Sequence, residues 1–320
     1  RGTGAARLDA GTGKVAWSRP ARAGDYAGAP VLAGGLLGTI AGDRYTTFDP
    51  RTGKPGWSAD VSGYFADAHA AGDVLLFGSA TGAVTALDGA TGERLWQRRL
   101  SGHSDPRIGP YDAATGLVHF FEESADGRHT TVSSVRARTG ELVHRRRLPG
   151  QLVPAATSGP DGTVFLTARG YEGQIDAVVR YDVARGTTNR VPLPFRMGEA
   201  RIAVRGGAVF LLDREGTLVA VDTATDGGRE LWQLETAAGQ VSPPVLGDGG
   251  RLYFSAADGR LLAVDTVRGT LLGQTEPRLH GGKLGHAASL PAPVVLGPRV
   301  IGTAPDGSVF AVDGADPSRW

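Results

Sequence analysis

"LDGATGERLW" (residues 87–96) is one copy of a pattern that recurs along the chain, and the recurrence decides the fold. It sets Asp88, Gly92 and Trp96 at fixed offsets. "RLDAGTGKVAW" repeats them as Asp9, Gly13 and Trp17, and "TFDPRTGKPGW" as Asp49, Gly53 and Trp57. Degenerate copies follow. "VRARTGELVH" keeps Gly140, with Arg136 and His144 at the outer positions. "YDVARGTTNR" keeps Asp182 and Gly186, with Arg190 in the Trp place. "VDTATDGGRELW" carries an insertion between Asp222 and Trp232, "VDTVRGTLLG" runs from Asp265 through Gly269 to Gly273, and "VDGADPSRW" joins Asp313 to Trp320. All five tryptophans therefore close a copy of one motif. The seven intervals from Asp9 to Asp313 average about 43 residues, the period of a four-stranded propeller blade.

Each interval reads alike. An apolar strand ("GAPVLA", "SPPVLGD", "PAPVVLG") precedes a β-rich run ("DVLLFGSA", "RLYFSAA"), a tight turn ("AADGR", "APDGS") and an alternating strand ending in Asp ("LLAVD", "VFAVD"). Short, evenly spaced strands between Gly-rich turns indicate a sandwich or a propeller, and the long fixed period selects the propeller. In D-x-x-T-G the carboxylate accepts from backbone N–H groups two or three residues on, and the Gly supplies positive φ. The Trp offers a flat apolar area and one donor for wedging between blades. The series Asp9, Asp49, Asp88, Asp182, Asp222, Asp265 and Asp313, with Trp17, Trp57, Trp96, Trp232 and Trp320, is thus read as structural. A two-stranded N-terminal stub, six full blades and three C-terminal strands make twenty-nine strands. That fits an all-β, seven-bladed propeller of antiparallel four-stranded blades, one domain over 1–320, closed by pairing N- and C-terminal strands. Eight blades are the alternative and leave one incomplete. Closure removes exposed edges.

Composition narrows the partners. The 34 basic and 33 acidic residues give a net charge of +1, which offers no electrostatic ground for nucleic acid or an anionic membrane. The absence of Cys excludes disulfides and thiolate chemistry. No apolar run has the roughly 18–20 residues of a membrane-spanning helix. The first residues already follow the repeat, so the chain is expected to begin inside the fold, with any targeting segment removed.

With D-x-x-T-G-x-x-x-W in hand, the chain resembles the PQQ-like β-propeller repeat family over essentially its whole length. Members of that family include quinoprotein dehydrogenases, the propeller lipoprotein of outer-membrane barrel assembly, and sensor propellers of actinobacterial serine/threonine kinases. The resemblance implies the fold and leaves function to sites grafted on it. The quinoprotein reading is disfavoured, because those enzymes resemble longer eight-bladed rings with a disulfide platform and a calcium site. This chain has no Cys, its one Asn is Asn189, and no Asp/Glu/Asn cluster stands out. No cofactor is therefore expected, and PQQ-dependent dehydrogenation is not.

Candidate site residues lie where the repetition lapses, in the loops leading to the innermost strands: Asp25, Tyr26, Tyr64, Asp67, His103, Arg107, Gln151, Arg196, Glu199, Gln240, Lys283 and His286. Converging on one axis, they would form the default pocket. Arg107, Arg196 and Lys283 would favour an anionic ligand. Such residues also suit a water-filled channel with no ligand. His69, His103 and His286 lack ligand spacing, so no metal is expected. "FFEESADGRHTT" (120–131) and "RGYEGQID" (169–176) are longer than the corresponding turns and read as pocket caps or solvated hairpin tips. "GDGG" (247–250) has no following helix, as a phosphate loop requires. The expected function is a non-catalytic sensory or scaffolding module of an extracytoplasmic bacterial protein, secreted or tethered through a segment not present. It would act as a monomer on a small polar or anionic ligand or on a protein. The alternatives are a propeller enzyme of lyase, hydrolase or isomerase type and an assembly scaffold.

Overall fold

Alternating apolar residues between Gly-rich turns fold into consecutive antiparallel sheets, each strand pairing with the next in sequence. The computed structural model describes residues 4–20, 30–61, 64–79, 81–100, 106–159, 162–279, 290–305 and 308–320. It divides into two compact units, Arg1–Pro154 and Ala155–Trp320.

In the first unit, β1 (Gly4–Leu8) and β2 (Val15–Pro20) pair alone. One blade follows from β3 (Val31–Ala33), β4 (Leu36–Ala41), β5 (Arg44–Phe48) and β6 (Pro55–Asp60). The next comprises β7 (Tyr64–Ala71), β8 (Val74–Ser79), β9 (Ala83–Asp88) and β10 (Arg94–Arg99). A third comprises β11 (Arg107–Asp112), β12 (Leu117–Glu123), β13 (His129–Arg136) and β14 (Leu142–Pro149). The first strands β3, β7 and β11 lie side by side. Ile40, Tyr45, Leu75 and Phe77 fill one blade-to-blade seam, and Leu76, Val84, Trp96, Val118 and Phe120 fill the next.

Strand β15 (Gln151–Ser158) spans the boundary and leads β16 (Thr163–Arg169), β17 (Ile175–Asp182) and β18 (Thr187–Met197). The second unit continues with β19 (Ala200–Arg205), β20 (Ala208–Asp213), β21 (Thr217–Asp222) and β22 (Arg229–Glu235). Then come β23 (Val245–Gly247), β24 (Arg251–Ser255), β25 (Leu261–Asp265) and β26 (Thr270–Gln274). The last sheet has three strands, β27 (Val294–Leu296), β28 (Arg299–Thr303) and β29 (Val309–Asp313). Strands β19, β23 and β27 again lie side by side. Among the described residues there are twenty-nine strands, one more than seven four-stranded blades require. The fold class is that all-β, seven-bladed propeller.

One recurring feature was hidden in the sequence. The ladder between third and fourth strands carries a bulge just before the Trp position. Trp96 faces Ala86 while Arg94 faces Leu87, so Leu95 is the extra residue. The extra residue is Ala16 before Trp17, Val143 before His144, Leu231 before Trp232 and Leu272 before Gly273. A bulge bends its strand and re-aims the next side chain. The β17–β18 ladder has no bulge there: Arg180 faces Asn189. The residue two before the motif's first position faces Trp96, Trp17 and Trp232 in the other blades. Asn189, not Arg190, therefore occupies the Trp position.

Candidate functional site

Two faces of each blade carry polar groups, and they do different work. On the motif face the Asp carboxylates cap their own turns. Asp9 Oδ1 accepts from the N–H groups of Gly11 and Thr12 at 3.0 and 2.8 Å, and Asp265 Oδ1 accepts from Val267 and Arg268 at 2.8 and 2.9 Å. Hydrogen bonds from Thr12 hold Asp9 below the usual carboxylate range, and the Arg268 N–H does the same for Asp265.

The indoles reach one blade forward. Nε1 of Trp17, Trp57, Trp96 and Trp232 donates to the carbonyl of Pro50, Gly89, Ala137 and Thr266, at 3.1, 3.0, 2.8 and 2.9 Å. Each acceptor is the second residue of the next turn motif. Each ring also covers the motif glycine of that turn: a Cβ at Gly140 (φ +70°) would sit 2.8 Å from the Trp96 ring. Asn189 makes the same latch without an indole. Its Nδ2 donates to Thr223 O at 3.1 Å and Thr225 O at 2.7 Å, and its Oδ1 accepts from Gly227 N at 3.2 Å. Trp320 behaves differently from its motif reading. It follows a 3₁₀ turn, Pro317–Arg319, donates back to Asp313 O at 2.7 Å, and stacks on Tyr253 at 5.9 Å. These groups are consumed by structure.

The opposite face holds the loops entering the first strands. Asp25, Tyr26, His103, Lys283 and His286 lie outside the described residues. Tyr64 and Asp67 fall on β7, their side chains likewise outside the description, and His69 lies further along that strand. Arg107 opens β11, and Gln151 opens β15 with its side-chain amide over Gly127. Gly127 belongs to the 120–131 segment, a closed hairpin tip in which Asp126 accepts from Ser124 and Arg128. The 169–176 segment forms a 3₁₀ turn, Tyr171–Gly173. Arg196 is exposed near the end of the outer strand β18.

Glu199 and Gln240 do meet, within the second unit. With Arg201, Asp213, Arg214 and Ser242 they line a cavity of about 430 Å³ at the entrances of β19, β23 and β27. An adjoining cavity of about 660 Å³ shares Arg214 and Gln240 and extends to Ala237, Asp258 and Arg260. Together they form a groove. Glu199 sits between two guanidiniums, with Oε1 3.2 Å from Arg201 and Oε2 3.9 Å from Arg214. Asp213 is buried at 7% exposure. Its Oδ1 accepts from Glu215 N at 3.1 Å and Thr217 N at 2.8 Å, and among the described residues its Oδ2 accepts nothing.

The loop between the cavities is strained and pinned. Ala237 (φ 52°) and Gln240 (φ 51°) adopt the left-handed conformation that disfavours side-chain-bearing residues. Thr236 is tied to Gly216 O through N and Oγ1 at 3.2 and 2.7 Å, and Gln240 O accepts from Ala257 N at 2.9 Å. Such strain persists only where surroundings over-determine it, and it clusters at functional sites. Arg201, Asp213, Arg214 and Ser242 were not singled out in the sequence. The available signal was Asp213-Arg-Glu-Gly-Thr217, where charges replace the small residues of sister turns. Among the described residues no group of three metal-ligating side chains occurs, and no helix is long and apolar enough to cross a membrane.

A family model described as outer membrane protein assembly factor BamB matches residues 2–151 and 128–320. The serine/threonine-protein kinase AfsK of Streptomyces coelicolor is 26% identical over 265 residues, 79% of this chain, and the chain spans only 31% of the kinase's length. The assembly factor BamB of Yersinia pestis is 24% identical over 330 residues, covering 95% of this chain and 78% of that protein. Among solved structures, BamB from Moraxella catarrhalis superposes with a TM-score of 0.65 at 21% identity, covering 93% and 86% of the two chains. A europium-containing methanol dehydrogenase gives 0.61 at 15% identity, covering 96% and 78%. Both likenesses speak to fold alone. A turn motif, a forward latch and a family model spanning both units agree: the chain belongs to the PQQ-like propeller family whose model is described as outer membrane protein assembly factor BamB.

Proposed function

We propose that the chain is a non-catalytic binding module, a single propeller domain over residues 1–320. It serves as the sensory part of a bacterial kinase or as a protein-binding scaffold, on the extracytoplasmic side. The groove at the entrances of β19, β23 and β27 carries the reading. It gathers charged and polar side chains from two successive blades, with Leu290, Pro291 and Ala292 of a third, around a strained, pinned loop. The relatives support it, one being a kinase and the other an assembly factor. The partner is a protein or a small polar ligand, and the module acts as a monomer. Photocrosslinking residues placed at Arg214 and Gln240, and at Arg98 on the outer strand β10, test the assignment in the native bacterium. Adducts from the groove positions alone are expected. Adducts only from position 98 would move the contact to the outer strands, and none at any position would overturn the reading.

A further inference from the structure

We infer that this groove takes a dipolar ligand, one bearing an ammonium and a carboxylate close together, as a free amino acid or a dipeptide does. The inference rests on the binding-module reading and names its ligand class. The smaller cavity carries two cationic side chains, Arg201 and Arg214, and two anionic ones, Glu199 and Asp213. A lining of net zero charge with both signs adjacent disfavours a singly charged ligand, which meets one repulsive pair for each attractive one. A dipolar ligand meets both attractively. Arg201 and Arg214 are 63% and 61% exposed, and among the described residues each makes a single ion pair, with Glu199. Each guanidinium has five N–H donors, so most remain for a carboxylate.

The ammonium would be received by Asp213. Its Oδ1 is fully engaged by two backbone N–H groups, and its unbonded Oδ2 lies in a residue more than nine-tenths buried at the cavity wall. Oδ2 is not one of the fully buried atoms that lack a partner, so it is open to the cavity, where an ammonium can donate to it. Glu199, 51% exposed, can swing between the guanidiniums and the ligand. Gln240 offers both a donor and an acceptor at the wall the two cavities share, which suits the remaining polar edge of the ligand. About 430 Å³ lies in the range of small-ligand sites. The larger neighbour leaves room for a side chain or second residue.

Gln240 supplies a test variant that separates binding from folding. Because its φ is 51°, Gln240→Gly relieves strain while removing the amide, so the melting temperature should hold or rise as binding falls. A role confined to structure would not move the two in opposite directions. Calorimetric titration would use free L-alanine, L-glutamate, L-lysine and glycylglycine. The controls are acetate, methylammonium and each amino acid with its amine acetylated, with its carboxylate amidated, or with both ends blocked. At least one free form should bind, with blocking of either end weakening it tenfold or more. Arg214→Gln and Gln240→Gly should each weaken it about tenfold without lowering the melt. Blocked forms binding as well as free ones would overturn the dipolar inference and leave the groove reading standing, provided Gln240→Gly weakens them. No binding by any probe would overturn the inference, with the photocrosslinking result then deciding the groove reading independently.

Discussion

Trp96 joins two terms that a single substitution can separate. It is 8% exposed, packs over Gly140 and donates to Ala137 O at 2.8 Å. Trp96→Ala should cost about 3–5 kcal/mol in denaturant melts, and Trp96→Phe about 1–2, because the ring remains and the donor is lost. Asn189→Ala should cost roughly 1–3 kcal/mol, since it strips partners from Thr223 O, Thr225 O and Gly227 N. A cost at Arg190→Ala exceeding that at Asn189→Ala would contradict the bulge-based alignment. His119 adds a pH term. Burial holds its pKa down to about 4, the Asp112 charge pulls it up, and His144 pushes it down. Its Nδ1 lies 3.0 Å from Ser134 Oγ, and its Nε2 is buried with no partner. The folded protein keeps the ring neutral, whereas the unfolded chain takes a proton below about pH 6.5. Stability is therefore full above pH 6.5, declines as pH falls to about 4, and has then lost roughly 3 kcal/mol from this group. His119→Leu should flatten the curve in that window. The turn aspartates act lower, because their depressed pKa values keep their contribution until pH falls below the usual carboxylate range.

At the scale of elements, the last blade interface shows how a missing wedge is replaced. Gly273 stands at the Trp position of β26, and a Cβ there would lie 1.9 Å from Pro317 O. The absent side chain makes room for the Pro317–Arg319 turn, which places Trp320 against Tyr253. The Tyr253 hydroxyl in turn donates to Gly314 O at 2.9 Å. Gly273→Leu should displace this turn, seen as a red shift of Trp320 emission in a protein whose other four tryptophans are changed to Phe. An unshifted spectrum would mean the turn docks without Gly273. The strands and their order were legible because D-x-x-T-G recurs with a fixed period. The bulges were not, since the extra residues Ala16, Leu95, Val143, Leu231 and Leu272 are aliphatic like ordinary strand positions and carry no bulge signal of their own. A one-residue slip in the alignment then put Arg190 where Asn189 belongs. The groove was half legible. Glu199 and Gln240 stood out because their loops break the period. Arg201 hid as one polar position of a strand, and Asp213 as an ordinary turn residue.

For the molecule as a whole, latches should govern how stability is distributed. The repeat alone puts His144, Arg190 and Gly273 where other copies have Trp, yet Asn189 and the Trp320–Tyr253 pair serve two of those sites. Hydrogen exchange should therefore find β21 and β25 about as protected as β9, and a deficit of several kcal/mol in either would show that only indoles hold blades. Pyrroloquinoline quinone with calcium should give neither dye reduction with alcohols or sugars nor a concentration-dependent thermal shift. A clear shift would restore the quinoprotein reading. The latches also have a direction. Trp17, Trp57, Trp96 and Trp232 each grip a carbonyl 32 to 41 residues nearer the C-terminus. On the ribosome, each of these indoles thus leaves the exit tunnel 32 to 41 residues ahead of its anchor. At about 5–20 residues per second, Trp96 waits outside roughly 2–8 s for Ala137 to follow it out. While any of these four strands is the newest outside the tunnel it carries an unburied indole, which makes the growing end the point where this protein most needs a chaperone.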